Sequence, residues 1–186
     1  MDKLIEQLNS SKKPILVNNI LPSQENKNIM HILSLQDSWY FGFEGDTDYS
    51  SRVKIACTNG YPHMGMMLKS ASEGHKDFNN SPLNIYGKLI ANIVFERLKF
   101  NYNNILRLWW NYYFKGQEGV GHVDMQTKKN ISLVYSIMPT DGGTEILNQF
   151  YPDVEGQAKI FKSDWLHRGV TTKQDKSRLI LNMVFE

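Results

Sequence analysis

The residues in this sequence best suited to bind a metal ion are two histidines and one aspartate in its second half. His122 and Asp124 are separated by one residue, and His167 follows forty-three residues after Asp124. If residues 121–125 form a strand, its alternation puts the side chains of His122 and Asp124 on one face. An antiparallel β fold can then bring His167 beside them. Two neutral imidazoles and one carboxylate on one face of an iron ion leave the opposite positions open, so the pattern predicts a mononuclear metal site.

A basic residue near the end of the chain strengthens this prediction, because a lone His-x-Asp pattern is common by chance. Arg178 follows His167 by eleven residues and opens the apolar run Leu179-Ile180-Leu181. An arginine on a half-buried strand needs an anionic partner, since burying its charge unpaired is expensive. A planar dicarboxylate ligand would supply that partner.

The first hundred residues are predicted to be rich in helix. Leu4, Ile5 and Leu8 have helical spacing within residues 2–10, and Ile15-Leu16-Val17 has the composition of a strand. Leu21-Pro22-Ser23 opens a second helix with an apolar stripe at Ile29, Ile32, Leu33 and Leu35. Ser81-Pro82 supplies an N-cap and first-turn proline for a helix over residues 82–98.

Between about Phe41 and Ser81 no period holds, apart from a possible strand at Arg52 to Cys57. This region is the candidate for substrate-facing loops. Its methionines either form an exposed loop that adapts to a peptide or fill gaps in the core; the residues concerned are Tyr61, Met64, Met66 and Met67. We interpret His63 and His75 as surface residues, and the four tryptophans, Trp39, Trp109, Trp110 and Trp165, as core or pocket wall.

After Asn104 the sequence becomes a series of β-rich segments. The predicted strands are Ile105–Phe114, Gly121–Met125, Ile131–Met138, Thr144–Phe150, Gly156–Phe161 and Arg178–Phe185, with His167 near the start of another. Turn signals lie at residues 115–119 and at Asp141-Gly142-Gly143. Helices first and strands last predict an α+β fold with an antiparallel sheet or barrel.

The composition predicts a single globular domain over residues 1–186, with helix-rich support and substrate loops in residues 1–100 and a β core in residues 101–186. The net charge of +2 without a basic patch gives no strong nucleic-acid signal. One cysteine, Cys57, suits a reducing compartment, and no run approaches the roughly 20 apolar residues that span a membrane. We therefore expect a cytoplasmic protein, in a microbe or in the host cell of a virus; the sequence does not predict its oligomeric state.

In their order, these motifs resemble the iron(II)- and 2-oxoglutarate-dependent oxygenase superfamily, and within it the prolyl-4-hydroxylase-like branch. The segment from Pro14 to Pro22 resembles the opening strand and helix start of that branch. Tyr113 to Gln117 resembles its tyrosine and glycine turn before the His-x-Asp strand, and residues 141–145 resemble its later Gly-Gly turn. His167 and Arg178 fit its distal histidine and its ligand-binding basic residue.

The resemblance implies a double-stranded β-helix, or jelly-roll, core with N-terminal helices packed on one sheet. It implies that Fe(II) is bound by His122, Asp124 and His167, and that 2-oxoglutarate chelates the metal while Arg178 binds its distal carboxylate bidentately. Tyr113 would donate a hydrogen bond to that carboxylate. Asn182, on the same strand face as Arg178, would line the cofactor pocket, and alternation favours Ser136 over Tyr135 as the inward-facing residue.

The implied reaction oxidises 2-oxoglutarate with O2 to succinate and carbon dioxide and hydroxylates an unactivated C–H bond. We expect a protein or peptide substrate, with proline the first residue to try. A free amino acid or other small metabolite is the alternative, as is a catalytically silent binding module or a site for another divalent metal. A nucleic-acid demethylase is disfavoured because Val184 and Phe185 stand near where that branch places a second arginine.

Overall fold

The structure is a computed structural model, and it describes residues 2–36, 40–41, 64–70, 81–117, 119, 121–170, 172–173 and 177–186. For residues 40–41 and 64–70 it describes the backbone only. The predicted strand Arg52–Cys57 lies outside the described residues, as do Trp39, Tyr61, His63 and His75. Within the described ranges, no helix combines the length and the apolar character needed to cross a membrane.

The helices lie where the sequence predicts them. They are α1 (Asp2–Ser11), α2 (Ser23–Ser34) and α3 (Pro82–Leu98). Ser81 caps α3, since its hydroxyl accepts a hydrogen bond from the Leu83 backbone N–H at 3.3 Å. Leu35 departs from the predicted stripe of α2: it lies beyond the last helical residue and is 68% exposed, because the helix ends before its side chain can turn toward the core.

Ten strands form two antiparallel sheets. They are β1 (Ile15–Val17), β2 (Tyr40–Phe41), β3 (Met64–Ser70), β4 (Ile105–Tyr113), β5 (Ile131–Ser136), β6 (Thr140–Ile146), β7 (Gln149–Asp153), β8 (Gln157–Lys162), β9 (His167–Val170) and β10 (Arg178–Phe185). One sheet has the order β1-β8-β5-β10-β4-β3-β2, and the other has the order β7-β6-β9. The α+β prediction is confirmed in this form, as a mixture of helices and antiparallel sheets.

Strand alternation divides the central strands of the seven-stranded sheet into two faces. One face contacts the helices: Tyr135 of β5 donates a hydrogen bond to Asn26 of α2 at 2.6 Å, and the Phe185 ring of β10 lies 4.8 Å from that of Phe95 in α3. Leu108 of β4 packs closely against Gly87 of α3, since a Cβ added at Gly87 would lie 2.4 Å from the Leu108 side chain. The opposite face of the same strands is therefore available to build a site.

Two predicted strands are wrong in detail. Gly121–Met125 is not a strand; only His122 makes a β bridge, because the chain bends directly after it. Thr144–Phe150 is split into β6 and β7 by a two-residue turn in which Leu147 and Asn148 both have positive φ, of 49° and 63°. Two positive φ angles match the turn that joins twisted antiparallel strands, although the sequence lacks the usual Asn-Gly signal.

Two predicted irregular segments belong to strands. Asp141-Gly142-Gly143, interpreted as a turn, lies within β6, where the pairing with β7 shifts between Thr140 and Gly143. Its glycines therefore mark a bulge. The methionine-rich segment predicted as a loop is β3, which pairs antiparallel with β4. Because β3 lies between β4 and β2, its pairing with both strands stabilises an extended conformation that its sequence, with no clear β period, does not predict.

We expect Gly143→Ala to destabilise the fold, because a Cβ at Gly143 would lie 2.3 Å from the Tyr151 carbonyl oxygen and 2.7 Å from the Phe150 ring. The backbone carbonyl cannot move without disturbing the β6–β7 pairing, so the cost should be about 1–3 kcal/mol. Urea denaturation would measure it. Gly121→Ala is the matched control, since its Cβ would meet only a Leu166 methyl at 3.5 Å; equal effects of the two changes would contradict this account of the bulge.

Candidate functional site

A pocket opens on the face of the seven-stranded sheet that does not contact the helices. Strand β4 contributes four of its lining residues at a spacing of two: Arg107, Trp109, Asn111 and Tyr113. Because they share one face of one strand, these side chains form a continuous wall. Thr144 of β6 and His167 of β9 also line the pocket, which therefore lies between the two sheets.

His122 and His167 are held together by their own backbones. The His122 N–H donates to the His167 carbonyl at 2.9 Å, and the His167 N–H donates to the His122 carbonyl at 2.9 Å. This is a hydrogen-bonded antiparallel pair, in which the two residues face each other directly, and it places the ring centroids 4.4 Å apart. Asp124 is held by a bond from its N–H to the Ser163 carbonyl at 2.9 Å.

The three predicted metal ligands meet in space. The ligand atoms of His122, Asp124 and His167 all lie within 4.8 Å of one another. His122 Nε2 is 3.8 Å from Asp124 Oδ1, and His167 Nε2 is 3.4 Å from Asp124 Oδ2. His122 is half exposed on its pocket side, whereas Asp124 and His167 are buried. The group is thus open to ligands from one direction.

The Asp124 carboxylate is fixed by groups that donate to both of its oxygens. Arg107 Nη2 donates to Oδ1, and Ser132 Oγ donates to Oδ2 at 2.5 Å. The same Arg107 nitrogen donates to Asn182 Oδ1 at 3.0 Å. Burial alone would raise the pKa of Asp124, but the Arg107 charge, followed by His167, holds that pKa well below its usual range. Asp124 is therefore an anion at neutral pH.

The hydrogen bonding of His167 fits a metal ion. Its Nδ1 lies 2.9 Å from the Trp165 carbonyl oxygen, which can only accept, so Nδ1 carries the proton. The other ring nitrogen, Nε2, is directed at Asp124, whose Oδ2 lies 3.4 Å away. Nε2 is buried and has no hydrogen-bond partner among the described residues. A backbone carbonyl on Nδ1 is the usual support of a metal-bound histidine, so Nε2 and the Asp124 carboxylate fit a shared metal ion.

The second end of the site is a buried arginine with an internal partner. Arg178 is 0% exposed; its Nε and Nη2 donate to Asp153 at 2.5 and 3.2 Å, and Nη2 also donates to Thr144 at 3.1 Å. Asp153 is therefore the anionic partner that the sequence argument required. Because two of the three guanidinium nitrogens are occupied, the predicted bidentate contact with a ligand does not fit, and one nitrogen remains.

That remaining nitrogen lies beside Tyr113. Arg178 Nη1 is buried and has no hydrogen-bond partner among the described residues. A Cβ on Gly169 would lie 3.1 Å from both Nη1 and the Tyr113 hydroxyl oxygen, so both atoms lie against this glycine. Burial raises the pKa of Tyr113, so its hydroxyl stays protonated at neutral pH. Nη1 and the Tyr113 hydroxyl are therefore two neighbouring donor groups of the kind that bind a carboxylate.

The sequence predictions for the other site residues have mixed outcomes. Ser136, not Tyr135, faces the site, where its hydroxyl donates to Asp153 at 2.9 Å. Asn182 lines the pocket, as predicted, but its side chain contacts Arg107 and not Arg178. Sequence reasoning missed Arg107, Ser132 and Asp153. Only Arg107 left a signal, because it lies six residues before Tyr113 and alternation puts both on one face.

Solved structures of similar shape share one fold. A prolyl hydroxylase from Trichoplax adhaerens, in complex with a hypoxia inducible factor oxygen degradation domain peptide, is 13% identical, with a TM-score of 0.67, and the match covers 97% of this chain and 86% of that one. A Pseudomonas putida prolyl-4-hydroxylase is 12% identical, with a TM-score of 0.63 and coverages of 98% and 96%.

The epimerase SnoN, in complex with Fe3+, alpha ketoglutarate and nogalamycin RO, is 10% identical, with a TM-score of 0.66 and coverages of 100% and 84%. No protein-family model matches the sequence, and no curated protein matches it significantly. At these identities the likeness establishes the fold. The chain has the fold of the 2-oxoglutarate- and iron-dependent oxygenases, the prolyl hydroxylases among them, which confirms the resemblance.

We expect the Asp153 carboxylate to stabilise the fold near neutral pH and to lose that contribution in acid. Burial alone would raise the pKa of Asp153, but the charges of Arg178 and Lys159 lower it from 3.8 to about 2. A depressed folded pKa means that the stabilisation is present above pH 4 and is lost as the pH falls through about 2; the amount is about 2 kcal/mol.

Urea denaturation of the wild-type protein and of Asp153→Asn at pH 6 and pH 2 measures this contribution. The difference in unfolding free energy between the two proteins should shrink by about 2 kcal/mol at the lower pH. A difference that stays constant would show that Asp153 does not change its proton affinity on folding.

Proposed function

We propose that this protein is an Fe(II)- and 2-oxoglutarate-dependent oxygenase that hydroxylates an unactivated C–H bond. The observation that carries the proposal is the convergence of His122, Asp124 and His167 beside a pocket, whose lining residue Thr144 contacts the buried, incompletely bonded Arg178. Two imidazoles and one carboxylate on one face are the ligand set of the non-haem Fe(II) oxygenases. The fold of the solved neighbours supports the same class.

We infer that the two sheets form a jelly-roll core, with α2 and α3 packed on the outer face of the larger sheet. The contacts of Tyr135 with α2 and of Phe185 with α3 support this arrangement on one side. The contacts of Arg178 with Thr144 and Asp153 support it on the other, since they join the two sheets across the pocket. We treat residues 1–186 as one oxygenase domain.

In this proposal each residue of the site has a stated task. His122, Asp124 and His167 would hold Fe(II), and Arg178 Nη1 with the Tyr113 hydroxyl would bind the distal carboxylate of 2-oxoglutarate. Bound iron would supply the activation of O2 that couples oxidation of 2-oxoglutarate to succinate and carbon dioxide with hydroxylation of substrate. Ser132 and Arg107 fix the direction of the Asp124 carboxylate, and the Trp165 carbonyl fixes the ring of His167.

We propose a protein or peptide residue, with proline first, as the substrate. Two similar structures are prolyl hydroxylases, one of them solved with a peptide, and His122 lies on the open side of the pocket, where a peptide could approach. Trp109 and Asn111 line the same opening and are not needed by metal or cofactor. A small-molecule substrate is the second candidate, because SnoN binds nogalamycin RO in the same fold.

A catalytically silent binding module is the remaining alternative. The complete ligand set and the unsatisfied Arg178 Nη1 speak against it, because a module that needed only a surface would not require a buried, unpartnered histidine nitrogen beside a buried carboxylate. The assay that separates these readings is succinate formation from 2-oxoglutarate with Fe(II) and O2. It would be run first without substrate and then with proline-containing peptides and free amino acids.

We expect Asp124→Ala to reduce succinate formation by at least about a hundredfold, since loss of a ligand should exceed the 10–100-fold effect of losing a residue that only orients one. Mn2+ titration should show a parallel loss of metal affinity, and His122→Ala should behave in the same way. Asp164→Ala is the matched control, because that carboxylate contacts Lys162 at 3.3 Å and not the site. Turnover that survives Asp124→Ala would exclude the proposed ligand set.

We expect Arg178→Met to raise the dissociation constant for 2-oxoglutarate by at least about thirtyfold, because it removes the buried cation that faces the carboxylate. Calorimetry with Mn2+ in place of iron measures binding without turnover. The matched control is Arg168→Met, which removes a partly exposed arginine paired with Glu145 at 2.9 Å. An unchanged dissociation constant in a folded Arg178→Met protein would mean that another residue binds the distal carboxylate.

A further inference from the structure

Beneath the pocket lies a buried cluster of three charged side chains, Lys159, Asp153 and Arg178. Lys159 and Arg178 are 0% exposed and Asp153 is 4% exposed. One oxygen of Asp153, Oδ1, accepts from Lys159 Nζ at 3.2 Å and from Arg178 Nη2 at 3.2 Å. The carboxylate is thus shared by two cations from β8 and β10, the two strands that flank β5 in the larger sheet.

The polar neighbours of this cluster carry no charge. Ser136 Oγ accepts from Lys159 Nζ at 3.0 Å and donates to Asp153 Oδ1, and Thr140 Oγ1 donates to Asp153 Oδ2 at 3.1 Å. Thr144 accepts from Arg178. Among the ion pairs of the described residues, Asp153 is the carboxylate that Lys159 and Arg178 share. With Lys159 protonated, two cations against one anion leave the cluster with a net charge of +1.

An uncompensated buried charge is costly, and a packed apolar residue in place of Lys159 would leave a neutral Arg178–Asp153 pair. The surplus charge is useful only if an anion completes the cluster. Arg178 Nη1, which has no hydrogen-bond partner among the described residues and lies beside Tyr113, is the atom at which an anion would join the cluster. One carboxylate there brings the cluster to zero, with two cations and two anions.

We propose that Lys159 is a positioning residue that makes this enzyme selective for a co-substrate with a distal carboxylate. Lys159 does not touch the ligand. Its positive charge offsets the negative charge of Asp153, which would otherwise cancel the charge of Arg178. The inference rests on the proposed 2-oxoglutarate site. It adds that the net charge of the cluster favours a dicarboxylate over a 2-oxo acid that lacks the second carboxylate.

The experiment compares two ligands by calorimetry in the presence of Mn2+: 2-oxoglutarate and 2-oxovalerate, which has the same chain length and no distal carboxylate. Lys159→Met keeps most of the side-chain volume and removes the charge, so binding of 2-oxoglutarate should weaken by at least about tenfold. Binding of 2-oxovalerate should change by less than about twofold. Lys162→Met, on the same strand but paired with Asp164, is the matched control and should leave both ligands unaffected.

A second variant separates charge from structure. Lys159→Met combined with Asp153→Asn leaves Arg178 as the single charge, so the cluster returns to +1 and binding of 2-oxoglutarate should recover most of the loss. A role in packing alone predicts that the second core change weakens binding further. If Lys159→Met does not fold, Lys159→Gln, which keeps a donor toward Ser136, takes its place in both proteins.

The outcomes distinguish this inference from the proposed function. If the wild-type protein binds neither ligand with Mn2+, the proposed oxygenase function is wrong. If the wild-type protein binds 2-oxoglutarate and folded Lys159→Met binds it equally well, the function stands and the role of Lys159 is wrong. Equal weakening of both ligands, or no recovery in the double variant, would also overturn the charge argument.

Discussion

The fold depends on how it compensates the buried charge of Arg178. This guanidinium has no solvent contact, and it extends from the larger sheet to Thr144 and Asp153 of the smaller one. An unpaired charge there would cost several kcal/mol, so the two sheets are tied together where the cation meets the carboxylate. Tyr113 of the larger sheet and Thr144 of the smaller one line the pocket between the two sheets.

Local periodicity explains what could be predicted from the sequence. Residues 82–98 form a helix because a capping serine, a first-turn proline and a long apolar stripe agree there. Alternation explains why Ser136 lies on the face of β5 that meets Asp153 and why Asn182 lines the pocket, since a strand's faces follow from its sequence alone. The proximity of His122, Asp124 and His167 could be predicted from their residue types and from the resemblance.

Long-range pairing explains what could not be predicted. Asp153 precedes Arg178 by twenty-five residues and follows Pro152, and nothing in its neighbourhood marks it as the partner of a buried arginine. The turn at Leu147-Asn148 is imposed by the pairing of β6 with β7 and not by turn residues. The bend after His122 likewise depends on the backbone hydrogen bond between Asp124 and Ser163, which lie thirty-nine residues apart in the sequence.

Strand β9 fixes the relation between the two ends of the site. His167 presents its ring to Asp124, and Gly169, two residues later on the same face, lies against Arg178 Nη1 and the Tyr113 hydroxyl. Two residues of strand span about 6.6 Å, which is the reach of a short dicarboxylate and less than that of a longer ligand. Since His167 is locked to His122 by paired backbone bonds, neither end can slide without the other. In the proposed site, the separation between the metal ligands and Arg178 Nη1 is therefore set by sheet register, and a bulge in β9 would change the length of ligand that fits.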